Sequence, residues 1–542
     1  MAAAKASFAN EVFSLGTLTP FYRGTQLQGH LIGMGLQEIP SYLLDPDVDL
    51  RYRTNPQLTR EIPFVDVFTI VRFMGGYPST WLKKINEWNS QFGRSSLDYV
   101  VRSTNGELKF RPNLIRMRLA PYLSAGYRPS DITLALDNVP WALAEPLGVR
   151  NVAGVWGQRL PPDNMATWTA VVKNFSQQLK AYIGPDVAAM RFETGVEYDQ
   201  KVSFDTDQLG FLNYYLATFR GLEQEIHNVQ LSPGEFNGIG KCVVQTSCVY
   251  DTLALLRELY THKIPISMMP RSLYGVWGNG GLPSKIVNRA VTSYARLPDI
   301  IPEVHQFSLI GQPFSIKATP DPGAGQATWQ FQVLIGLWRR LKPRRVYHWG
   351  GFSSVGKLSF LNGAGFIRLI LDRYQGAAGY QLPATLSSPV AVSGGQEVTA
   401  VLFQFEGKIA FVVARFALQL SEQPVEVKIS LPTWMKVRVP SAIHSIRYNS
   451  FTNVFVEIRN DFDQAGNLKP EFGSNKGVVG APMEMAIDSA VAHRTLAARW
   501  PHYVEVMKNG LRWRRDNGIV FTLNELGVKL VANEIVFFEI EQ

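Results

Sequence analysis

Cysteine is nearly absent from this chain: Cys242 and Cys248 are the only two in 542 residues. A pair with five residues between its members matches no zinc-ligand spacing, and there is no second pair to complete one. One disulfide between them stays open, beside the reading of two buried thiols acting as small apolar groups. Long apolar runs are missing too. No stretch approaches the ~20 apolar residues of a membrane span, so no membrane span is expected. The opening residues, MAAAKASFANEVFSLG, lack the apolar run of a secretory signal. The expectation is a soluble chain without a signal peptide, cytoplasmic or carried in a released assembly. The eight histidines show no HExxH or comparable metal spacing. Gly278-Asn279-Gly280-Gly281 has no P-loop lysine, and Gly394-Gly395-Gln396-Glu397 does not lead from a strand into a helix. No metal and no cofactor is expected.

What is present suits a large globular protein. Hydrophobic residues make up 46% and charged residues 18%, far from a disordered composition. A chain of this length predicts two domains, one of them large. Aromatics reach 12%; they serve cores first, but a flat ring also stacks on a pyranose face. The net charge of +9 could favour an anionic partner. Its densest runs, Arg339-Arg340 with Lys342, Arg344 and Arg345, and Arg512 with Arg514 and Arg515, accompany no nucleic-acid motif. A solvated surface is the expectation, with no nucleic-acid partner.

From about residue 28 to 385, short apolar runs alternate with amphipathic stretches, the βαβα pattern of a parallel sheet. The expected strands are His30–Leu36, Phe68–Phe73, Ile132–Leu136, Ala188–Glu193, Val229–Ser232, Ile264–Met269, Val304–Ile310 and Arg345–Trp349. Helices are expected over Asn164–Tyr182, Asp207–Ile226, Tyr250–Tyr260 and Trp329–Arg340; in the first, Trp168, Val171, Val172, Phe175 and Leu179 fall at i, i+3, i+4 spacing. Eight strand–helix units in ~350 residues predict an α/β fold, a (β/α)8 TIM barrel. After Pro383 the period changes. Val398–Phe405 and Lys408–Arg415 flank Glu406-Gly407 as a hairpin, with further strands expected at Val425–Leu431, Val454–Arg459 and Glu534–Glu539. A helix over Met485–Trp500, followed by a helical Tyr503–Asn509, interrupts them. The expected organisation is an N-terminal segment over 1–20 that could add a strand to the sandwich, a barrel over 21–385, and an antiparallel β-sandwich over 386–542 with a helical insertion near 482–509.

In a parallel barrel the chemistry sits at the C-terminal strand ends. At the end of the fourth strand stands Arg191-Phe192-Glu193-Thr194-Gly195-Val196-Glu197-Tyr198-Asp199. Alternation sets Glu193 and Glu197 on one side, so a Glu197 carboxyl at the mouth could protonate a glycosidic oxygen. An exposed or salt-bridged loop glutamate is the competing reading. Phe192-Glu193-x-x-x-Glu197 resembles the FEIWNEP segment of glycoside hydrolase family 39, the β-xylosidase and α-iduronidase family of retaining barrel enzymes. Val71-Arg72-Phe73 resembles the family's VRFH, and Met269-Pro270-Arg271-Ser272-Leu273-Tyr274 its SRHAY. The helix ending Tyr503-Val504-Glu505-Val506-Met507-Lys508-Asn509-Gly510 resembles the one the family inserts in its β-domain. The resemblance spans nearly the whole chain and is remote.

That resemblance implies Glu197 as general acid/base. It also exposes departures. Val196 stands where the family has Asn, Tyr198 where it has Pro, and Met74 and Ser272 where it has His. Tyr274 is kept. Each departure at Asn or His removes a hydrogen-bonding group from a chemistry that uses such bonds in its transition state. A retaining enzyme needs a second carboxylate ~5–5.5 Å from the first. Two registers compete at strand seven. Ile301-Pro302-Glu303 can match the family's nucleophile segment, making Glu303 the nucleophile. The ungapped run from Ala290 to Gly311 instead puts Leu309 at that position and Glu303 at the N-terminal strand end, and is preferred. Glu235, in Ser232-Pro233-Gly234-Glu235-Phe236, is a further candidate catalytic carboxylate, with an ordinary loop acid as its competitor. Arg72, Asp137, Tyr274, His348 and Trp349 are candidate substrate-binding residues; Asp137 could instead cap a helix, and Trp349 could be packing.

Two functions follow. One is a retaining glycosidase acting on a polysaccharide. The other is a catalytically degraded glycosidase fold, binding carbohydrate or serving as a structural component. A carbohydrate is the expected partner, and an oligomer or a larger assembly stays open.

Overall fold

The computed structural model describes residues 69–76, 98–144, 158–236, 252–310, 323–435, 441–464 and 490–541 apart from short breaks, with the strands Phe13–Thr17 and Gly24–Thr25. Eight parallel strands form one sheet. In chain order they are Gly24–Thr25, Thr69–Arg72, Ile132–Ala135, Arg191–Glu193, Gln230–Ser232, Met268–Val276, Ile301–Ile310 and Arg345–His348. Numbered one to eight, they lie side by side as 5-4-3-2-1-8-7-6. The expected first strand, His30–Leu36, lies outside the described residues, and Gly24–Thr25 pairs with strands two and eight.

The sheet curls. Five steps separate strands four and seven, which a flat sheet would hold roughly 24 Å apart at ~4.8 Å per step. Yet Arg191 of strand four reaches Glu303 of strand seven at 2.7 Å. At the sheet's two ends, Phe236, just past strand five, forms a parallel bridge to Arg271 of strand six. Its N–H donates to Pro270 O at 3.1 Å, and its carbonyl accepts from Ser272 N at 3.0 Å.

Alternation along the strands divides two environments. Val71, Leu134 and Phe192 face outward into a core with Trp168, Val171, Val172, Phe175 and Leu179. Those five come from helix Met165–Ile183, whose N-cap Asn164 accepts from Thr167 N. Asp207 caps helix Gln208–Glu223 in the same way. Ile70, Thr133, Ala135, Arg191, Glu193, Glu303, His305 and Tyr347 occupy the inner face.

Two antiparallel sheets account for most of the remainder. The larger runs Phe13–Thr17, Ala378–Leu382, Gln396–Phe405, Lys408–Ala417, Glu534–Glu541, His444–Asn449, Arg514–Arg515. The smaller runs Ala384–Leu386, Val425–Ser430, Glu525–Leu530, Ile519–Phe521. They share an apolar cluster that includes Leu402, Phe411, Val413, Val427, Val528 and Phe538. Gly407 turns the Gln396–Ala417 hairpin at φ +73°, a backbone state that suits glycine. Helix Ala324–Arg340 lies between the parallel sheet and the larger antiparallel one. Its Trp329, Phe331 and Val333 share a cluster with Val304 and Leu309 on one side and Phe403, Val412 and Phe537 on the other. Gln332 of this helix donates to the carbonyls of Glu397 and Ala414.

Several element boundaries depart from the sequence reading. Val454–Arg459 is not a strand but the start of helix Val454–Gln464; Asn453 accepts from Phe455 N and Val456 N and caps it. Residues 188–189 close a 3-10 helix, Gly184–Ala189, entered through Pro185, so strand four begins at Arg191. Strand six runs Met268–Val276, later than expected. The helix expected in two pieces is continuous over Ala490–Asn509, with Pro501 inside it; residues 485–489 lie outside the described set.

Candidate active site

Strand four ends at Glu193, and the turn after it carries Glu197. Thr194 N donates to Ser232 O, and its hydroxyl to Pro233 O at 2.6 Å. Gly195 has no room for a side chain: a Cβ there would sit inside the Tyr198 ring. That ring stacks on Phe204 at 4.4 Å, and its hydroxyl accepts from Asn138 N at 2.8 Å. So Tyr198 joins the turn to the segment after strand three. Glu197 itself sits at φ +54°, a left-handed conformation costly for a residue with a Cβ. Its half-buried carboxylate accepts from the Ser272 hydroxyl at 2.8 Å. Strands four and six thus meet through Glu197 and Ser272. Ser272 supplies this hydrogen bond from strand six.

Glu303 lies elsewhere. It is the third residue of strand seven, fully buried, and level in register with Pro270. Ser272, which holds Glu197, pairs with Gln306. Glu303 therefore sits two ladder steps, roughly 7 Å, deeper toward the N-terminal strand ends. Both its oxygens are engaged. Oε1 accepts from Arg191 Nη2 at 2.7 Å, and Oε2 lies 3.0 Å from His305 Nε2. The other ring nitrogen, Nδ1, lies 3.0 Å from Glu193 Oε2. Burial alone would raise the Glu303 pKa, but Arg191 and His305 outweigh it and hold the carboxyl at about 2. Burial alone would lower the His305 pKa; Glu193 and Glu303 push it up to about 9. Both oxygens of Glu303 are thus engaged in a buried ion-pair cluster.

Leu309 does reach the C-terminal end of strand seven, paired with Gly275. Its side chain, however, packs with Trp329 and Leu334 in the helix-facing cluster. The cause is a register shift between Val304 and Gln306: one extra residue reverses which side chains face inward. The ungapped sequence match had no means of showing that bulge.

Asp137, just past strand three, is buried beside Tyr214, whose hydroxyl donates to Leu136 O. No α-helix starts there, so it is not a helix cap. Tyr274 is half-buried on strand six and pairs with Ser308; its carbonyl accepts from Arg289. Arg72 ends strand two opposite Ala135, and His348 ends strand eight opposite Thr25. The side chains of Arg72 and His348, with all of Glu235, Trp349, Cys242 and Cys248, lie outside the described residues.

The sequence reading missed Arg191 and His305. The signal was there: Arg191-x-Glu193 and Glu303-x-His305 each set two ionisable residues on one face of a strand.

Sequence comparison finds no matching family model and no matching curated protein. Solved structures do match. A glycoside hydrolase family 39 enzyme from Xanthomonas axonopodis pv. citri superposes with a TM-score of 0.57 at 13% identity, covering 92% of each chain. A family 39 β-xylosidase from Caulobacter crescentus gives 0.51 at 13% identity, covering 92% of this chain and 94% of its own. A monomeric β-xylosidase from Caulobacter crescentus CB15 gives 0.52 at 12%, covering 98% of both. The chain is a remote structural relative of family 39 glycoside hydrolases over almost its full length, and at such identity the likeness concerns the fold. No helix among the described residues is long and apolar enough to cross a membrane.

Proposed function

We propose that this chain is a glycoside-hydrolase-like protein that binds carbohydrate at the C-terminal ends of its parallel strands and does not hydrolyse it by the retaining route. In this reading the curled sheet is a closed (β/α)8 barrel over 21–385. Residues 1–20 lend a strand to a β-sandwich formed by 386–542. The bridge from Phe236 to Arg271 and the cyclic strand order support closure. Glu197 is the mouth carboxylate and accepts a sugar hydroxyl.

One observation carries the reading: both oxygens of Glu303 are committed to Arg191 and His305, below Glu197. A nucleophile must instead stand ~5–5.5 Å from the acid with a free oxygen. The test offers purified protein aryl β-xylosides and xylan, substrates suggested by the named β-xylosidases. Expected are no release of the aryl group above the uncatalysed rate and measurable retention on the polysaccharide. Hydrolysis abolished by Glu197→Gln would overturn it. The second reading, a working retaining glycosidase, then rests on Glu235. Its sequence neighbours Gly234 and Phe236 sit against Gly195 and Arg271, and Glu235→Gln would abolish that activity as well.

A further inference from the structure

The inner face of the parallel sheet holds four ionisable residues in contact: Arg191, Glu193, Glu303 and His305. All are nine-tenths buried or more. Carboxylates only accept hydrogen bonds. His305 presents one ring nitrogen to Glu193 and the other to Glu303, each at 3.0 Å. Both nitrogens must therefore carry hydrogen, so the ring is an imidazolium. Two cations and two anions then balance.

The hydrogen bonds do not balance. Arg191 spends Nη2 on Glu303 and on the Met268 sulfur. Among the described residues, Arg191 Nε, Arg191 Nη1 and Glu193 Oε1 are buried with no protein partner. Unmet charged groups in an interior are among the costliest defects a fold can hold. The three atoms do not pair with one another in the structure. The register sets Thr133 beside Arg191 and Ala135 beside Glu193. On that side Glu193 is therefore flanked by a methyl group and not by a polar side chain.

The occupant's chemistry follows from the walls. A metal cation meets Arg191 and the imidazolium; an anion meets Glu193 and Glu303. A small neutral molecule that both donates and accepts suits two open donors and one open acceptor. We propose that the inner face of the parallel sheet is a water-binding site, with ordered water linking the Arg191 guanidinium to Glu193 Oε1 and completing the ion tetrad around His305. Nε and Nη1 point from different parts of the guanidinium, so more than one water is required. The proposal is independent of whether the chain cuts a sugar.

The experiment is water-oxygen magnetic relaxation dispersion on the full chain, which reads long-lived internal water, together with a high-resolution crystal structure. Wild type is expected to show water within about 3.2 Å of Arg191 Nε or Nη1 and of Glu193 Oε1. Ala135→Val adds bulk beside Glu193 and is expected to remove part of the dispersion amplitude. Glu193→Gln keeps the shape and an acceptor, and is expected to keep it; this variant decides the matter if Ala135→Val does not fold. A dry interior, side chains regrouped so that the three atoms pair with protein, or an amplitude unchanged by folded Ala135→Val each overturns the proposal.

Discussion

The inner face of the parallel sheet and the core between the antiparallel sheets are equally buried and differently built. The second is mainly apolar: Leu402, Phe411, Val413, Val528 and Phe538 meet there, with Phe411 stacked on Phe538 at 4.9 Å, and the buried Arg415 bonds to Leu530 O across it. Among the described residues the first holds an arginine, a protonated histidine and two glutamates beside the apolar cluster of Ile70, Ala135 and Tyr347. Apolar packing is non-directional and tolerant of small shifts. An ion tetrad is directional. It fixes strand four against strand seven, and strand four leads straight into the Glu197 turn. The difference suggests that the region nearest the candidate site is held for geometry, and the distant region for stability.

The comparison breaks most sharply at Arg191. Arg191→Met should cost about 3–5 kcal/mol, since removing one partner leaves Glu303 buried with a single cation. Chemical denaturation measures it. Adding Glu303→Gln to Arg191→Met should recover part of the loss; a double variant weaker than the single would mean that the charge is not what the fold misses. In the antiparallel core, Phe411→Ala should cost about 3–4 kcal/mol through lost burial and a residual cavity.

The two regions should then separate by pH. The folded pKa of His305, about 9, lies above its ordinary 6.5. Its contribution is therefore complete below pH 6.5 and is lost as pH rises through 9, by at most about 3 kcal/mol. The depressed Glu303 acts in the opposite window, its contribution being lost only as pH falls through about 2. Denaturation between pH 6.5 and 9.5 should show the alkaline loss in wild type and in Phe411→Ala alike. His305→Asn should flatten it. A loss that persists in His305→Asn would assign it to another group.

How much of this was legible in the sequence depended on periodicity. Strands two, three, five, seven and eight were readable because apolar runs alternate with capped helices, and Asn164 and Asp207 announce two of those caps. Val454–Arg459 misled because its β-branched alternation reads as a strand; the cap at Asn453 and the spacing of Val454, Phe455 and Ile458 were the better signal. The Glu197 turn was found by its resemblance, not by its physics. The bulge in strand seven was invisible, since a one-residue register shift depends on the neighbouring strand.

The smallest expected effect is at Glu197, and it sharpens the comparison from the side of the site. Its carboxylate is half-buried and accepts a hydrogen bond from Ser272. Glu197→Gln preserves an oxygen to accept that bond, so folding stability should change by less than about 0.5 kcal/mol. Glu197→Leu leaves the Ser272 hydroxyl without its acceptor in a buried position and should cost about 1 kcal/mol. Neither replacement relieves the backbone, because both keep a Cβ at φ +54°. Glu197→Gly would relieve it but loses the hydrogen bond and adds chain entropy in the unfolded state, leaving a net change near zero. Thermal unfolding of the three variants tests this ordering. If Glu197→Gln cost as much as Arg191→Met, Glu197 would belong to the fold's framework like Glu303. If the small effect holds, a strained glutamate that stability does not require is what a residue kept for its ligand looks like.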